Sequence, residues 1–182
     1  MKINRALSFH CGGLPTTFRV LTPDDITEEY LAALRRERHF LSNRDPKITR
    51  AEQNRYVEKI TCSATSAIFG FFGNAELIGT VGAQDLDSTD GAALGVFIFN
   101  SRFANRGFGK IAVWAACYFL HHTMSIDKFR AGIAHNNPIS RRVFSACGFS
   151  LKEKRTDKLL LSLEITQLQA QSLITTDSIV MR

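Results

Sequence analysis

The amino-acid sequence predicts a single α/β domain. Three observations carry this. Strand-like apolar runs cover residues 67–72, 77–86 and 92–99, separated by short turns. The last run leads through the glycine-rich turn Asn105-Arg106-Gly107-Phe108-Gly109-Lys110 into a long apolar-periodic segment over residues 111–122. A second strand-to-helix passage follows about thirty residues later, from residues 129–134 into Asn137-Pro138.

Residues 1–16 read as an arm ending in Gly12-Gly13 and Pro15, and residues 18–21 alternate as a short strand. Thr22-Pro23-Asp24-Asp25 then opens a helix: Thr22 is an N-cap, Pro23 suits the first turn, and the aspartates favour the positive helix end. Ile26, Tyr30, Leu31 and Leu34 give that helix an apolar stripe. Residues 39–47 are polar and irregular. Thr49 and Glu52 form a capping box for a second helix to about Cys62, with Tyr56, Val57 and Ile60 inward. Gly73-Asn74 and residues 87–91 are turns. The helix from Asn137-Pro138 runs to about Cys147 and is stopped by Gly148. Residues 159–163 read as a last strand. The domain is therefore expected over residues 17–166, with 167–182 as a tail or short helix.

With 182 residues, 45% hydrophobic and 22% charged, the composition is that of an ordinary globular domain with a real core. The net charge of +6 and pI of about 9.4 suit an anionic ligand. No run of five basic residues is present, which argues against nucleic acid. Cys11, Cys62, Cys117 and Cys147 form no Cys-x-x-Cys pair and no zinc-ligand spacing, so no metal is expected. Cys62, Cys117 and Cys147 fall in helical segments and read as small buried hydrophobes. A reducing, cytoplasmic setting follows. The apolar run Ala6-Leu7-Ser8-Phe9 is too short for a signal peptide, and no stretch is long enough to span a membrane.

The glycine turn is the most informative chemical feature. Glycines let the chain bend so that several N–H groups face one ligand, and the following helix adds its unpaired donors and the positive end of its dipole. The expected guest is a phosphate or pyrophosphate. A P-loop would need Gly at 104 and Ser or Thr at 111, where Ala104 and Ile111 stand. Gly107-x-Gly109-x-x-Ala112 satisfies a dinucleotide fingerprint, but one strand–helix–strand unit is too little for a dinucleotide fold.

The second passage reads Asn137-Pro138-Ile139-Ser140-Arg141-Arg142-Val143-Phe144-Ser145-Ala146-Cys147-Gly148-Phe149. Its Asn, small residue, aromatic and Gly-Phe, taken with the glycine turn, closely resemble the paired motifs of the GNAT acetyltransferases. The resemblance covers residues 18–163 and has the flavour of the ribosomal-protein N-terminal and amino-sugar acetyltransferase branch. It implies a mixed, mostly antiparallel sheet flanked by helices, with the fourth and fifth strands splayed, and acetyl-CoA as cosubstrate. Phe97, Ile98 and Phe99 would then offer backbone groups to the pantetheine arm as an added strand does. Arg106, Gly107, Phe108, Gly109 and Lys110 would hold the pyrophosphate. Asn137 and Ser140 would meet the arm near the thioester, and Arg142 with Arg141 would contact the adenosine 3′-phosphate or lie exposed.

The sequence departs from the family at three places. Ala104 stands where Gln or Arg is usual, so Arg106 would supply the charge. Ala93 stands where a glutamate often serves as base, and Phe144 where a tyrosine often protonates the leaving thiolate. Transfer would then rest on positioning the amine against an activated thioester and on a backbone N–H at its oxygen. The candidate proton acceptors are His135, because an imidazole is the side chain suited to proton transfer near neutral pH, and Asp85 or Asp87 on the third strand. His121 and His122 read as complements to a helix C-terminus, and Trp114 with Tyr118 as core. Arg35, Arg36, Arg38, Arg44, Arg50 and Arg55 line the acceptor side or form a solvated helix face. The resemblance thus implies an N-acetyltransferase acting on a small-molecule amine, such as an amino sugar or sugar nucleotide, or on a protein N-terminus. The competing class is a non-catalytic acyl-CoA-binding module. A homodimer stays open, and so does the acceptor.

Overall fold

A computed structural model of the chain describes residues 5–37, 48–87, 89–169 and 174–181. In chain order the elements are β1 (Ala6–Cys11), β2 (Leu14–Val20), α1 (Glu28–Arg36), α2 (Arg50–Thr61), β3 (Ser66–Gly73), β4 (Glu76–Asp87) and β5 (Gly91–Ile98). These are followed by α3 (Phe108–Met124), β6 (Lys128–Ala134), α4 (Pro138–Ser145), β7 (Ser150–Lys154), β8 (Lys158–Glu164) and β9 (Ile174–Met181). The nine strands form one sheet in the order β7-β8-β6-β5-β4-β3-β2-β1-β9. Every pairing is antiparallel except β5 with β6. This is the mixed, mostly antiparallel α/β architecture the sequence predicts.

Alternation along the strands sorts the core into two layers. Phe69, Phe71, Val81, Ala83, Ala92, Leu94, Phe129 and Ala131 lie on one face, under α3, whose Ile111 to Leu120 are almost all buried with them. Ile68, Phe72 and Leu77 lie on the other, under α1 and α2, against Tyr30, Leu31, Leu34 and Val57. The second layer stops at the β5 end of the sheet. The α1/α2 side of β5 is therefore half-open, with Gly95 exposed and Ala93 and Phe97 half-buried.

Several expectations are corrected. The first helix does not begin at Thr22. Residues Pro23–Asp25 make one 3-10 turn, which Thr22 caps with Asp25, and α1 starts at Glu28 with Thr27 accepting from the Tyr30 amide at 3.1 Å. The expected arm is a strand from Ala6, hairpinned to β2, and the expected tail contains β9, which pairs with β1. β7 is a further strand that the sequence did not mark. Cys62 is exposed rather than buried, because it caps the end of α2, whereas Cys11, Cys117 and Cys147 are buried. Tyr56 is 38% exposed, while Val57 is buried as expected. The polar stretch 39–47 lies outside the described residues.

One departure from regular pairing shapes everything downstream. β5 and β6 are joined only at Ala92↔Phe129 and Ala93↔Arg130, although both strands run on for several residues. Gly91 sits at the closed end with φ +90, and a Cβ there would stand 2.2 Å from the Lys128 carbonyl oxygen. Only glycine permits so close a contact of the two chains at this point. Beyond it the strands part, as expected for the fourth and fifth strands; the N-terminal hairpin moves their count to fifth and sixth.

Candidate active site

The chain leaves both parted strands through helix N-termini, at the carboxyl ends of the strands where open α/β sheets place their ligands. After β5 the corner 99–107 is braced from within. Asn100 is buried, donates from Nδ2 to Glu76 Oε1 at 2.9 Å and accepts from the Arg102 amide at 3.1 Å, and Arg102 itself pairs with Glu76. Asn105 and Gly107 both take left-handed backbones, φ +59 and +87. Gly107 is the N-cap of α3, no side chain caps the helix, and no acidic residue stands in its first turn. The first helical bond is Ile111 N–H to the Gly107 carbonyl at 3.4 Å, so the amides of Phe108, Gly109 and Lys110 precede the helical ladder. Arg106 is exposed and Lys110 half-buried beside them, which adds positive charge to the dipole end. Phe108 turns its ring into the core, edge-on to Phe103 at 5.0 Å, and contributes backbone only.

α4 follows β6 across the gap. Asn137 caps it, its side chain accepting from the Ser140 amide at 3.0 Å. Ser140 is half-buried, and Arg141 and Arg142 are exposed on the first turns. Phe144 is 1% exposed and packs edge-to-face on Phe149 at 5.0 Å, so it is a core ring with no group to offer a thiolate. Gly148 takes φ +100 where the helix stops. The start of α3 meets the last turn of α4 and the residues just past it: the space beside Gly109 is bounded by Val143, and Cys147 Sγ donates to the Lys110 carbonyl at 3.2 Å. Burial pushes the Cys147 thiol up to about 12, against a smaller lowering by Lys110, so it stays protonated and serves as a brace.

Phe97, Ile98 and Phe99 do not contribute alike. Phe97 and Ile98 lie on β5 beyond the last rung to β6, so the strand's β6 side has no ladder partner there among the described residues. The Phe99 amide instead donates to the Ile78 carbonyl at 3.2 Å.

The proposed proton acceptors separate widely. His135 Nε2 meets the Arg155 carbonyl at 2.8 Å, which ties it to the β7–β8 turn on the side of β6 away from β5. Asp87 accepts from the Asp90 and Thr89 amides at 2.9 and 2.6 Å; these bonds hold its carboxyl below the usual range and make it a turn cap. Asp85 stands on a bulge in β4, between the pairs Gln84↔Ala93 and Asp87↔Gly91, with φ +52. Its Oδ2 lies 3.6 Å from Arg130 Nη2 on β6. Arg130 escaped the sequence reading, although the alternation that buries Phe129 and Ala131 put it on the open face.

The arginines read as acceptor-side groups are mostly committed to bonds within and between α1, α2 and their flanking residues. Arg35 donates to the Ile48 carbonyl at 2.8 Å, Arg36 pairs with Glu37 at 2.9 Å, and Arg50 binds Glu28 at 2.9 Å and the Ile26 carbonyl. Arg38 and Arg44 lie outside the described residues. On the same side Tyr30 is buried, accepts from Gln53 at 3.1 Å and hydrogen-bonds Thr80; burial pushes its hydroxyl far up, so it stays neutral. His121 pairs with Asp127 at 2.6 Å and His122 with the Tyr118 carbonyl at 2.8 Å, both at the end of α3. Among the described residues no cluster of three His, Cys, Asp or Glu side chains is placed to hold a metal ion, and no helix is long and apolar enough to cross a membrane.

A sheet that parts between two parallel strands, with a glycine-capped helix at its mouth, defines an acyl-CoA-type transferase fold. Residues 16–150 match the acetyltransferase (GNAT) domain family, and the chain belongs to it. No curated protein sequence matches. Among solved structures it is similar to RimJ of Mycobacterium smegmatis in complex with CoA-disulfide, with TM-score 0.74 and 15% identity over 92% of this chain and 90% of that one. It is also similar to spermidine N-acetyltransferase of Vibrio cholerae in complex with CoA and spermine, with TM-score 0.69 and 17% identity over 84% and 96%. A third is a ribosomal-protein-serine acetyltransferase so described from Vibrio cholerae, with TM-score 0.64 and 19% identity over 82% and 93%. At these identities the likeness is one of fold.

Proposed function

We propose that this chain transfers the acetyl group of acetyl-CoA to a primary amine, with an amino sugar, a sugar nucleotide or a protein N-terminus as acceptor. The observation that carries the reading is the coincidence of the parted β5–β6 pair with the uncapped N-terminus of α3 at its open end. The pyrophosphate takes the amides from Gly107 to Lys110 and the charges of Arg106 and Lys110. The pantetheine arm lies in the gap and bonds the free edge of β5 at Phe97 and Ile98. Asn137 and Ser140 border the arm at the start of α4, and Arg142 faces the 3′-phosphate. That two similar structures carry CoA supports the reading.

The amine nitrogen attacks the thioester carbonyl carbon. The C–N bond forms, the C–S bond breaks, and CoA leaves with the electron pair of its sulfur. A β5 amide at the thioester oxygen stabilises the charge that develops there. With Phe144 buried, the leaving thiolate takes its proton from solvent. The four free cysteines support a reducing, cytoplasmic setting.

The test is calorimetric titration with CoA together with thiol release from acetyl-CoA over a panel of amino sugars, amino-sugar nucleotides and peptide N-termini. Micromolar CoA binding and turnover with one class are expected. CoA binding with no turnover on any amine would make the chain an acyl-CoA-binding module, the reading that Ala93 and the buried Phe144 favour. Absence of CoA binding contradicts both.

A further inference from the structure

We propose that Asp85 is the base of this transfer and that Arg130 is its positioning residue, acting across β5 at Ala93. The assignment rests on the acetyl-transfer reading above. An amine that has attacked a carbonyl carries a proton it must lose, and it is then strongly acidic, so a carboxylate accepts that proton. The question is which carboxylate stands where the gap closes.

The register answers it. The last rung between β5 and β6 is Ala93↔Arg130, and the partner of Ala93 on the other side is Gln84 on β4. Immediately after Gln84 the β4 strand bulges by one residue, and the extra residue takes a left-handed backbone at Asp85. Bulges of this kind re-aim a side chain, and aspartate is among the non-glycine residues that adopt φ +52 most readily. Here the re-aimed carboxylate comes within 3.6 Å of the Arg130 guanidinium, although β5 lies between their strands. The methyl of Ala93 is the only side chain of β5 at this level on the open face, and its smallness leaves the path clear. Arg130 cannot point the other way, because its neighbours Phe129 and Ala131 are buried under α3.

The ground next to the pair is open. Gly82 and Gly95 are cross-strand partners one step along the same face, and nothing lies within 4 Å of where either Cβ would stand. These glycines leave a bare backbone floor beside the splay, with Gln84 between it and Asp85 along β4. Two other acidic side chains near the vertex are committed elsewhere: Asp87 caps its own turn and Asp127 holds His121. In the reaction the C–N bond forms as the C–S bond breaks, and the proton leaves nitrogen for a carboxylate oxygen of Asp85, directly or through one water.

The test compares wild type, Asp85→Asn, Arg130→Gln, the Asp85→Asn/Arg130→Gln double variant and Asp85→Asn/Ala93→Glu. Asparagine tolerates the left-handed backbone, so Asp85→Asn keeps the bulge. It should lower kcat on the order of 10²-fold with the KM for acetyl-CoA and the CoA affinity unchanged. Arg130→Gln should lower kcat less, and its effect should vanish when Asp85 is already Asn, the non-additivity of groups acting as a unit. Ala93→Glu projects a carboxylate into the same space and should restore about tenfold or more of the loss. Turnover of Asp85→Asn within twofold of wild type overturns the assignment while leaving the acetyl-transfer reading intact, and so does failure of Ala93→Glu to rescue. CoA binding without turnover by wild type overturns both.

Discussion

Two helix starts in this chain are built in opposite ways. α2 begins with a closed capping box: Thr49 accepts from the Glu52 amide and Glu52 accepts from the Thr49 amide, so its end donors are used within the chain. α3 begins with Gly107, no cap, no acidic residue, and Arg106 and Lys110 on either side. A helix that opens on glycine instead of a capping side chain forgoes only roughly a few tenths of a kcal/mol. What it keeps is a set of amides aimed outward beside positive charge. The first helix start serves stability, and under the proposed function the second serves an anion.

That contrast breaks most sharply at Gly107. Gly107→Glu should weaken CoA binding at least 100-fold by calorimetry, since it sets a carboxylate against the proposed phosphate seat and strains φ +87. Gly107→Asn tolerates the same backbone and should retain most of the affinity, which separates strain from charge.

The next effect is at the closed end of the gap. Gly91→Ala should cost on the order of 1–3 kcal/mol in denaturant unfolding, because its methyl meets the Lys128 carbonyl and φ is +90. An unchanged unfolding midpoint would mean that β5 and β6 do not close there.

Thr49→Ala, on the stability side of the comparison, should cost about 1 kcal/mol, a melting shift of about 2–4 °C, with CoA affinity untouched. A loss of CoA affinity in that variant would erase the distinction between the two helix starts.

The smallest effect is a pH dependence at a third start, the 3-10 turn. Burial alone would raise the Asp25 carboxyl, but hydrogen bonds from Arg19 and Thr22 outweigh it and the net shift is downward. A group depressed in the folded state adds stability that is present above its unfolded pKa and is lost as pH falls through its folded one. Melting temperature should therefore fall with acidification below about pH 4, the ordinary carboxyl range, and Asp25→Asn should flatten part of that fall.

Much of the site was legible because it is local. The glycine corner, the Asn137 helix and the Gly148 stop are each set by residues within a dozen positions, and the turn chemistry shows in the letters. The parting of β5 from β6 was legible only through the family resemblance, because no residue pattern along one strand reports where its neighbour leaves. β1 and β9 pair across nearly the whole length of the chain, so neither run announces its partner. β7, Ser150–Lys154, is exposed throughout and has no hydrophobic alternation to read. Thr22-Pro23-Asp24-Asp25 carries every mark of a helix start. It makes one instead for a single turn, and Thr27 supplies a second, better-placed cap. At the site, His135 looked suited by its chemistry. Its hydrogen bond to Arg155 depends on where the β7–β8 hairpin folds back, which is a tertiary fact. Asp85 gained its partner for the same reason: the bulge and Arg130 meet only once three strands are in register.

The most direct test is a crystal structure with bound CoA. The diphosphate should lie on the amides of residues 107–110, with the pantetheine arm between β5 and β6 beyond the Ala93–Arg130 rung. A coenzyme bound elsewhere, or β5 and β6 hydrogen-bonded along their full length with that corner empty, would contradict the account.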